Sequence, residues 1–352
     1  MTGRDAERAA LARALVLART PGVPVGPNPR VGCVLLDPDG VPVAEGFHRG
    51  AGTPHAEVDA LRRAGDRARG ATAVVTLEPC NHTGRTGPCA EALLGAGVVR
   101  VVYAQDDASP NARGGAERLR AAGVDVEGGL LAAEARQVNA AWSFAAEHGR
   151  PFVTWKLATT LDGRSAAADG SSRWVSSAPA RRDTHRLRAE CDAVLAGTGT
   201  VLVDDPRMTV RDELDVDLPR ERQPLRAVMG LRELPTDRRV LDDAAETVLL
   251  RTRDPHRALA QLLARECRHV LLEGGPALAA GFLRAGVVDE VVAYVAPLLL
   301  GAGTSAVGDL GITTIADALH LRLREVTTVG AGADANVRLT LAPDAHDHGR
   351  TE

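Results

Sequence analysis

The chain has 352 residues, 45% of them apolar and 25% charged, an ordinary globular composition with material for about two domains. Its net charge of −4 supplies no basic field for nucleic acid or anionic lipid, and nine aromatic residues are too few for a repeated base-stacking platform. Of 42 basic residues, 41 are arginine and one, Lys156, is lysine.

The elements read in order as follows. Arg4 to Arg19 is an amphipathic helix, not the charged head and apolar run of a secretory signal. Gly32–Asp37 and Val41–Phe47 form a hairpin around Asp37-Pro-Asp-Gly40. A helix from His55 to about Arg69, a strand at Ala73–Leu77 and a helix near Cys89–Gly95 follow. Next come a strand at Val98–Ala104, a helix at Ala112–Ala122, a short strand at Val124–Val126 and one long helix over Leu130–Glu147. Glu147-His-Gly-Arg-Pro151 is a polar Gly/Pro break and the best domain boundary. It divides the charge into −1 before residue 150 and −3 after it. Beyond it, strands are predicted at Phe152–Leu157, Ala193–Ala196, Leu225–Met229, Thr247–Leu250, Val270–Leu272, Glu290–Val295, Leu323–Val329 and Val337–Leu341. Helices are predicted at Ala180–Glu190, Pro255–Glu266 and Pro276–Ala285. Asp212–Arg222 reads as an acidic, Arg-rich surface loop, and residues 344–352 as a flexible tail. Such alternation means two layered α/β domains, residues 1–149 and 150–343. The longest uncharged run, Val291–Gly308, is interrupted by Pro297, Gly301 and Gly303, so no membrane span is expected. Five scattered cysteines argue against a disulfide framework; Cys33, Cys191 and Cys267 read as buried thiols, and a cytoplasmic location is expected.

Two constellations carry chemistry. In the first, Pro54-His55-Ala56-Glu57 opens a helix, Thr76-Leu77-Glu78-Pro79-Cys80 closes a strand, and Cys89 lies nine positions on. One imidazole and two thiolates give Zn²⁺ three protein ligands and leave the fourth position for water, whose pKa the metal lowers. Glu57, two residues from a ligand, can move the protons of a hydrolytic deamination. The His-x-Glu…Pro-Cys order is that of the zinc-dependent nucleobase deaminases. A purely structural zinc would want a fourth protein ligand, for which His82 is the one candidate. In the second constellation, Lys156-Leu-Ala-Thr-Thr-Leu-Asp162-Gly-Arg164 follows a strand. Downstream stand Ser171-Ser-Arg-Trp174-Val-Ser176, Arg188-Ala-Glu190, Gly197-Thr-Gly-Thr-Val-Leu-Val-Asp204-Asp205-Pro-Arg-Met-Thr-Val-Arg211 and Glu273-Gly-Gly-Pro276. Gly-Gly at a strand-to-helix turn bares backbone N–H groups to a phosphate, and Arg188, Arg207 and Arg211 could clamp a sugar phosphate. Gly197-x-Gly199 and Gly301-x-Gly303 lack the third glycine of a dinucleotide fingerprint.

The long cysteine loop, Pro79-Cys80-Asn-His-Thr-Gly-Arg-Thr-Gly-Pro-Cys89, resembles that of the riboflavin-biosynthesis pyrimidine deaminases, where nucleoside and tRNA deaminases have Cys-x-x-Cys. Gly26-Pro-Asn-Pro-Arg-Val-Gly-Cys33 and Glu45-Gly-Phe-His48 are similar to that family too. The later set, in order, resembles the reductase domain joined to that deaminase in the bifunctional riboflavin enzymes. The resemblance spans nearly all of residues 20–342. It implies a cytidine-deaminase-like three-layer α/β/α domain followed by a dihydrofolate-reductase-like α/β domain that uses NADPH. It implies zinc on His55, Cys80 and Cys89, with Asn28 and His48 facing the pyrimidine and Arg85 near the substrate phosphate. It further implies Ala158, Trp174, Ser176, Thr200, Asp204 and Gly275, Pro276, Ala277 and Leu278 at NADPH. Ser172, Arg188, Arg207, Arg211 and Glu273 would face the substrate, with Lys156 and Asp162 opening the catalytic motif. The family usually has Asp-Pro-Asn-Pro and a glycine cluster after the next strand; here Asp106-Asp107-Ala-Ser-Pro110-Asn-Ala-Arg-Gly114-Gly115 departs from it, and Asp106 or Asp107 could still serve.

The expected activity is zinc hydrolytic deamination of a diaminopyrimidine ribosylamine phosphate, then NADPH reduction of the opened ribose to a ribityl chain. The expected partners are that small pyrimidine ribosyl phosphate and, by resemblance, further copies of the chain through the reductase domain. Two other readings stay open: a nucleoside or tRNA deaminase with an accessory domain, and a non-catalytic zinc-stabilised nucleotide-binding module. Compositional bias explains 41 arginines but not the one lysine. An ammonium is a compact donor where guanidinium is planar and bulky, so Lys156 is expected to contact the ribose or polarise its carbonyl.

Overall fold

The computed structural model describes residues 3–23, 26–83, 87–110 and 112–344. The chain divides between Gly149 and Arg150 into two units. The first holds α1 (Gly3–Ala18), β1 (Gly32–Leu36), β2 (Pro42–Phe47), α2 (Ala56–Ala64), β3 (Thr72–Leu77), α3 (Cys89–Gly95), β4 (Arg100–Gln105), α4 (Gly115–Ala121), β5 (Asp125–Gly128), α5 (Ala132–Val138) and α6 (Ala140–His148). Its sheet runs β2-β1-β3-β4-β5. β1 pairs antiparallel with β2 and β3, while β3, β4 and β5 are parallel. Side chains alternate across a strand, and here both faces are covered. Cys33 and Leu35 enter a core with Ala56 and Ala60 of α2 and Leu93 of α3. Val34 and Leu36 enter the opposite core with Leu11 and Leu15 of α1 and Ala135 of α5. The result is three layers, α/β/α.

The single helix expected over Leu130–Glu147 is two. Asn139 breaks it, at φ −113° and ψ 25°, because its buried carboxamide is tied to a distant segment. Oδ1 accepts from Arg30 N–H at 2.8 Å and Nδ2 donates to Arg30 O at 2.9 Å. An Asn side chain that finds backbone partners elsewhere competes with helix continuation.

The second unit holds β6 (Phe152–Thr160), β7 (Arg164–Ala166), α7 (Ala178–Ala189), β8 (Ala193–Gly197), α8 (Thr198–Asp204), β9 (Leu225–Met229), β10 (Thr247–Leu250), α9 (Pro255–Leu263), β11 (His269–Leu272), α10 (Pro276–Arg284), β12 (Glu290–Ala296), β13 (Thr304–Ser305), β14 (Leu321–Val329) and β15 (Asn336–Pro343). Its main sheet runs β10-β9-β8-β11-β6-β12-β15-β14. It is parallel from β10 to β12 and antiparallel over β15 and β14. Leu195, Leu272 and Val291 pack with Leu259 of α9 and Phe282 of α10, and Val194 and Val228 pack on the other face with Val201 of α8. The strand expected to end at Leu157 continues to Thr160, because β12 keeps pairing with it as far as Ala296. Lys156 therefore lies in the middle of β6. α8 is an addition: its short run of Gly and Thr carries no helical period. The expected tail lies, from residue 345 onward, outside the described residues. No helix among the described residues is long and apolar enough to cross a membrane.

Candidate active sites

In the first unit, His55 caps α2 and Cys89 is the first residue of α3, while Cys80 follows β3 by three residues. The fold brings the three together. His55 Nδ1 lies 3.2 Å from Cys89 Sγ and 3.5 Å from Cys80 Sγ, and all three donor atoms lie within 4.8 Å of one another. A tetrahedral Zn²⁺ would set its nitrogen and sulfur ligands roughly 3.6 Å apart, so the donor set fits zinc in type and spacing. His82 is not in this cluster. Both thiols are free and buried. Hydrogen bonding from Cys89 and His55 holds the Cys80 thiol far down, at about 4, which is the ionised state a metal ligand needs. Glu57 is 4% exposed; burial and the neighbouring Cys80 charge push its carboxyl up to about 7, and a bound cation would oppose that rise.

Around the cluster, His48 meets His55 edge-on, ring centroids 5.4 Å apart. Its Nδ1–H donates to Pro54 O at 3.1 Å, which leaves Nε2 to accept from Asn28 Nδ2 at 3.0 Å. Burial lowers its pKa, so this is a neutral imidazole in a fixed tautomer. Asn28 and His48 thus stand as a hydrogen-bonded pair beside a zinc ligand. Arg85 lies outside the described residues.

The Asp106–Gly115 loop is braced by a carboxylate whose role the sequence did not disclose. Buried Glu78, two residues before Cys80, accepts from the N–H groups of Gly114 and Ala116 through Oε1, at 3.1 and 3.0 Å, and from Asp107 N–H through Oε2 at 3.3 Å. Gly115 is required there: a Cβ on it would lie 1.7 Å from Pro79 O. Asp106 turns away, accepting from Tyr103 Oη at 2.9 Å. Asp107 is the buried one, its carboxyl raised to about 6 by burial and by Glu78 and Cys80.

In the second unit, a cavity of about 720 Å³ is lined by Lys156, Ser172, Trp174, Ser176, Arg188, Asp204, Arg207, Arg211 and Glu273, among others. All the expected substrate residues of this half meet here, together with three of the expected NADPH residues. Arg188 lines the cavity with partners of its own. Its guanidinium is bound bidentately to Glu273, at 2.6 and 2.8 Å, and to Thr209 O at 2.7 Å. That pair faces Lys156, which burial lowers below its ordinary value while Glu273 opposes the fall. Arg207 and Arg211 reach Asp217 at 2.9 and 3.4 Å, and Arg211 reaches Asp215 at 2.9 Å. The acidic loop is exposed from Asp212 to Val216, as expected of a surface loop, and its Asp212, Glu213 and Asp215 also line the cavity. Sequence reasoning missed Arg181, His185 and Arg239, which also line it. Burial beside Arg188 and Arg211 lowers His185 to about 4, so it is neutral.

A second cavity of about 730 Å³ is lined by Gly197, Gly199, Thr200, Gly230, Gly275, Pro276, Ala277 and Leu278, with Arg232, Arg253 and Arg284 and, among the described residues, no acidic one. Bare glycine backbone and three guanidinium groups suit a polyanionic dinucleotide. Thr200 and Gly275–Leu278, grouped by the sequence reading, line this one cavity together; α8 carries Thr200 to it and Asp204 to the other. Ala158 and Asp162 line neither of these cavities. Ala158 pairs with Tyr294 in the sheet. Asp162 braces a turn: it accepts from Thr160 Oγ1 at 2.5 Å and Gly301 N–H at 2.7 Å, bonds that hold its carboxyl down at about 2.

Residues 5–105 match the cytidine and deoxycytidylate deaminase zinc-binding region, and residues 151–334 match the RibD C-terminal domain. The riboflavin biosynthesis protein RibD of Mycobacterium tuberculosis is 52% identical over 308 residues, covering 86% of this chain and 89% of its own. That of Escherichia coli K12 is 42% identical over 352 residues, covering 91% and 96%. Among solved structures, Acinetobacter baumannii RibD aligns with a TM-score of 0.88 at 37% identity, over 97% of this chain and 99% of its own. A Thermotoga maritima protein, a diaminohydroxyphosphoribosylaminopyrimidine deaminase/5-amino-6-(5-phosphoribosylamino)uracil reductase, aligns with a TM-score of 0.86 at 29% identity over 97% and 99%.

Proposed function

The chain belongs to the RibD family of riboflavin-biosynthesis enzymes, and from that premise we propose how its own residues divide the two reactions. It is a bifunctional deaminase and reductase with zinc and NADPH as cofactors. The first unit, residues 1–149, acts on a diaminopyrimidine ribosylamine phosphate. Zinc, when bound to His55, Cys80 and Cys89, supplies a Lewis acid that makes water nucleophilic near neutrality. Glu57 takes a proton from the water as it adds to the ring carbon, then delivers it to the amine, which leaves as ammonia. Asn28 and neutral His48 orient the pyrimidine, and Arg85 meets the phosphate.

The second unit, residues 150–343, reduces the ribose of the deaminated product. NADPH, when bound, supplies hydride to the sugar carbonyl carbon. The Lys156 ammonium donates to the carbonyl oxygen and stabilises the charge that develops there. Arg207 and Arg211 exchange their aspartate partners for the substrate phosphate. Arg188 and Glu273 hold each other and set the charge around Lys156. The family likeness also supports a cytoplasmic enzyme that self-associates through this unit.

The observation that carries this reading is the convergence of three zinc donors on a buried carboxylate, in a different unit from the lysine-and-arginine cavity. Chelation tests it. Stripping the metal with dipicolinate should abolish ammonia release and leave NADPH oxidation on the pre-deaminated substrate intact, with readdition of zinc restoring the first. Deamination by metal-free protein, or loss of both activities in folded protein, overturns it.

A further inference from the structure

Arg226 is a charged residue with no exposure at all, standing in β9 on the face where Val228 joins the apolar core. Its guanidinium is satisfied by six acceptors. Nε donates to Thr247 Oγ1 at 3.0 Å. Nη1 donates to Asp242 Oδ1 at 2.7 Å and to the carbonyl oxygens of Arg207 and Arg239, each at 3.3 Å. Nη2 donates to the carbonyl oxygens of Asp242 and Ala245. Two of these carbonyls belong to arginines whose side chains line the 720 Å³ cavity.

The segment so held is strained. Asp205 and Met208, on either side of Pro206 and Arg207, sit at φ +43° and +57°, a region that non-glycine residues occupy only where their surroundings over-determine it. The surroundings here are Arg226 below and Arg239 beside. Arg239 N–H donates to Asp205 Oδ1 at 2.9 Å, and its Nε donates to Asp205 O at 2.8 Å. Thr247 extends the network, its Oγ1 donating to Val240 O at 2.6 Å. One buried fork therefore joins the Asp205–Met208 turn to the Arg239–Ala245 turn.

We propose that Arg226 is a positioning residue of the reductase site: it fixes the backbone from which Arg207 reaches the substrate phosphate. This rests on the reading of Arg207 as a phosphate ligand. Lysine cannot reproduce the planar fork, so Arg226→Lys frees both turns while keeping the charge.

The test compares reductase kinetics on the deaminated phosphate substrate and on its dephosphorylated form. Arg207→Ala should cut the preference for the phosphorylated form about 30-fold. Arg226→Lys should cut it about tenfold, chiefly in KM, with NADPH affinity and ammonia release unchanged. The double variant should be no worse than Arg207→Ala, since both act on one contact. If Arg207→Ala loses the preference and folded Arg226→Lys keeps it, Arg226 is merely structural and the proposal falls alone. If Arg207→Ala keeps the preference, the phosphate reading falls and takes the proposal with it. Should Arg226→Lys fail to fold, Thr247→Val decides: a smaller loss of the same preference supports the proposal, and an unchanged preference overturns it.

Discussion

The zinc site and the reductase cavity are built on opposite principles. Three residues within 35 positions make the first, two at helix starts and one three residues past a strand, and each of a type the metal demands. The second gathers Lys156 from the middle of β6, Arg188 from α7, Arg207 and Arg211 from one long connection, and Glu273 from the turn before α10. Apart from the lone lysine, none of these residue types is special in a chain with 41 arginines. A metal centre is specified by donor chemistry, whereas an anion cavity is specified by where ordinary charges are brought to face one another.

The comparison breaks most visibly at Glu57. Glu57→Gln should lower ammonia release by about 10³-fold or more while zinc content and NADPH oxidation on the deaminated substrate hold. If both activities fall together, the sites are not separate. Lys156→Arg, conservative in charge, should lower the reductase by about 10²-fold and spare deamination, because a guanidinium cannot take the place of a compact ammonium; full reductase activity would remove Lys156 from the chemistry. The same lysine gives a pH test. Burial favours its neutral form, so reduction should fall with rising pH at a value below the ordinary 10.5. Glu273 favours the ammonium, so Glu273→Gln should move that fall further toward acid. An unmoved alkaline limb would disconnect Glu273 from Lys156. The smallest effect is expected at Gly115. Gly115→Ala forces a Cβ against Pro79 O and should destabilise the first unit by about 1–3 kcal/mol, seen as a lower Tm with weaker deamination and an unaffected reductase.

Much of this was legible from local pattern. The β1–β2 hairpin, the strand before Cys80 and the helix at Cys89 announce themselves by alternation and turn chemistry. Where the reading erred, a distant partner decided. Asn139 ends α5 because Arg30 lies within reach, and β6 runs past Leu157 because β12 is there to pair with it. The partners of the Asp162 carboxylate, Thr160 and the Leu300–Gly301 backbone, were likewise not legible in its motif. Arg226 gave no sign at all: an arginine in a short strand reads as solvent-facing, and only its six acceptors show otherwise.

The sequence by itself determined the two-domain α/β architecture, the three zinc donors and the carboxylate beside them. These follow from periodicity, from residue types that few other functions require, and from spacing along one chain, whereas the reductase motif was legible only through its resemblance to a known family. The tertiary structure decided which charges pair. It joined Arg188 to Glu273, turned Asp215 and Asp217 toward Arg207 and Arg211, set Glu78 under the loop beside Cys80, and sank Arg226 beneath the turn that carries Arg207. Such pairings depend on distances between segments far apart in the chain, and a guanidinium or carboxylate has the same letter in the sequence whether it meets water, a backbone carbonyl or its counter-ion.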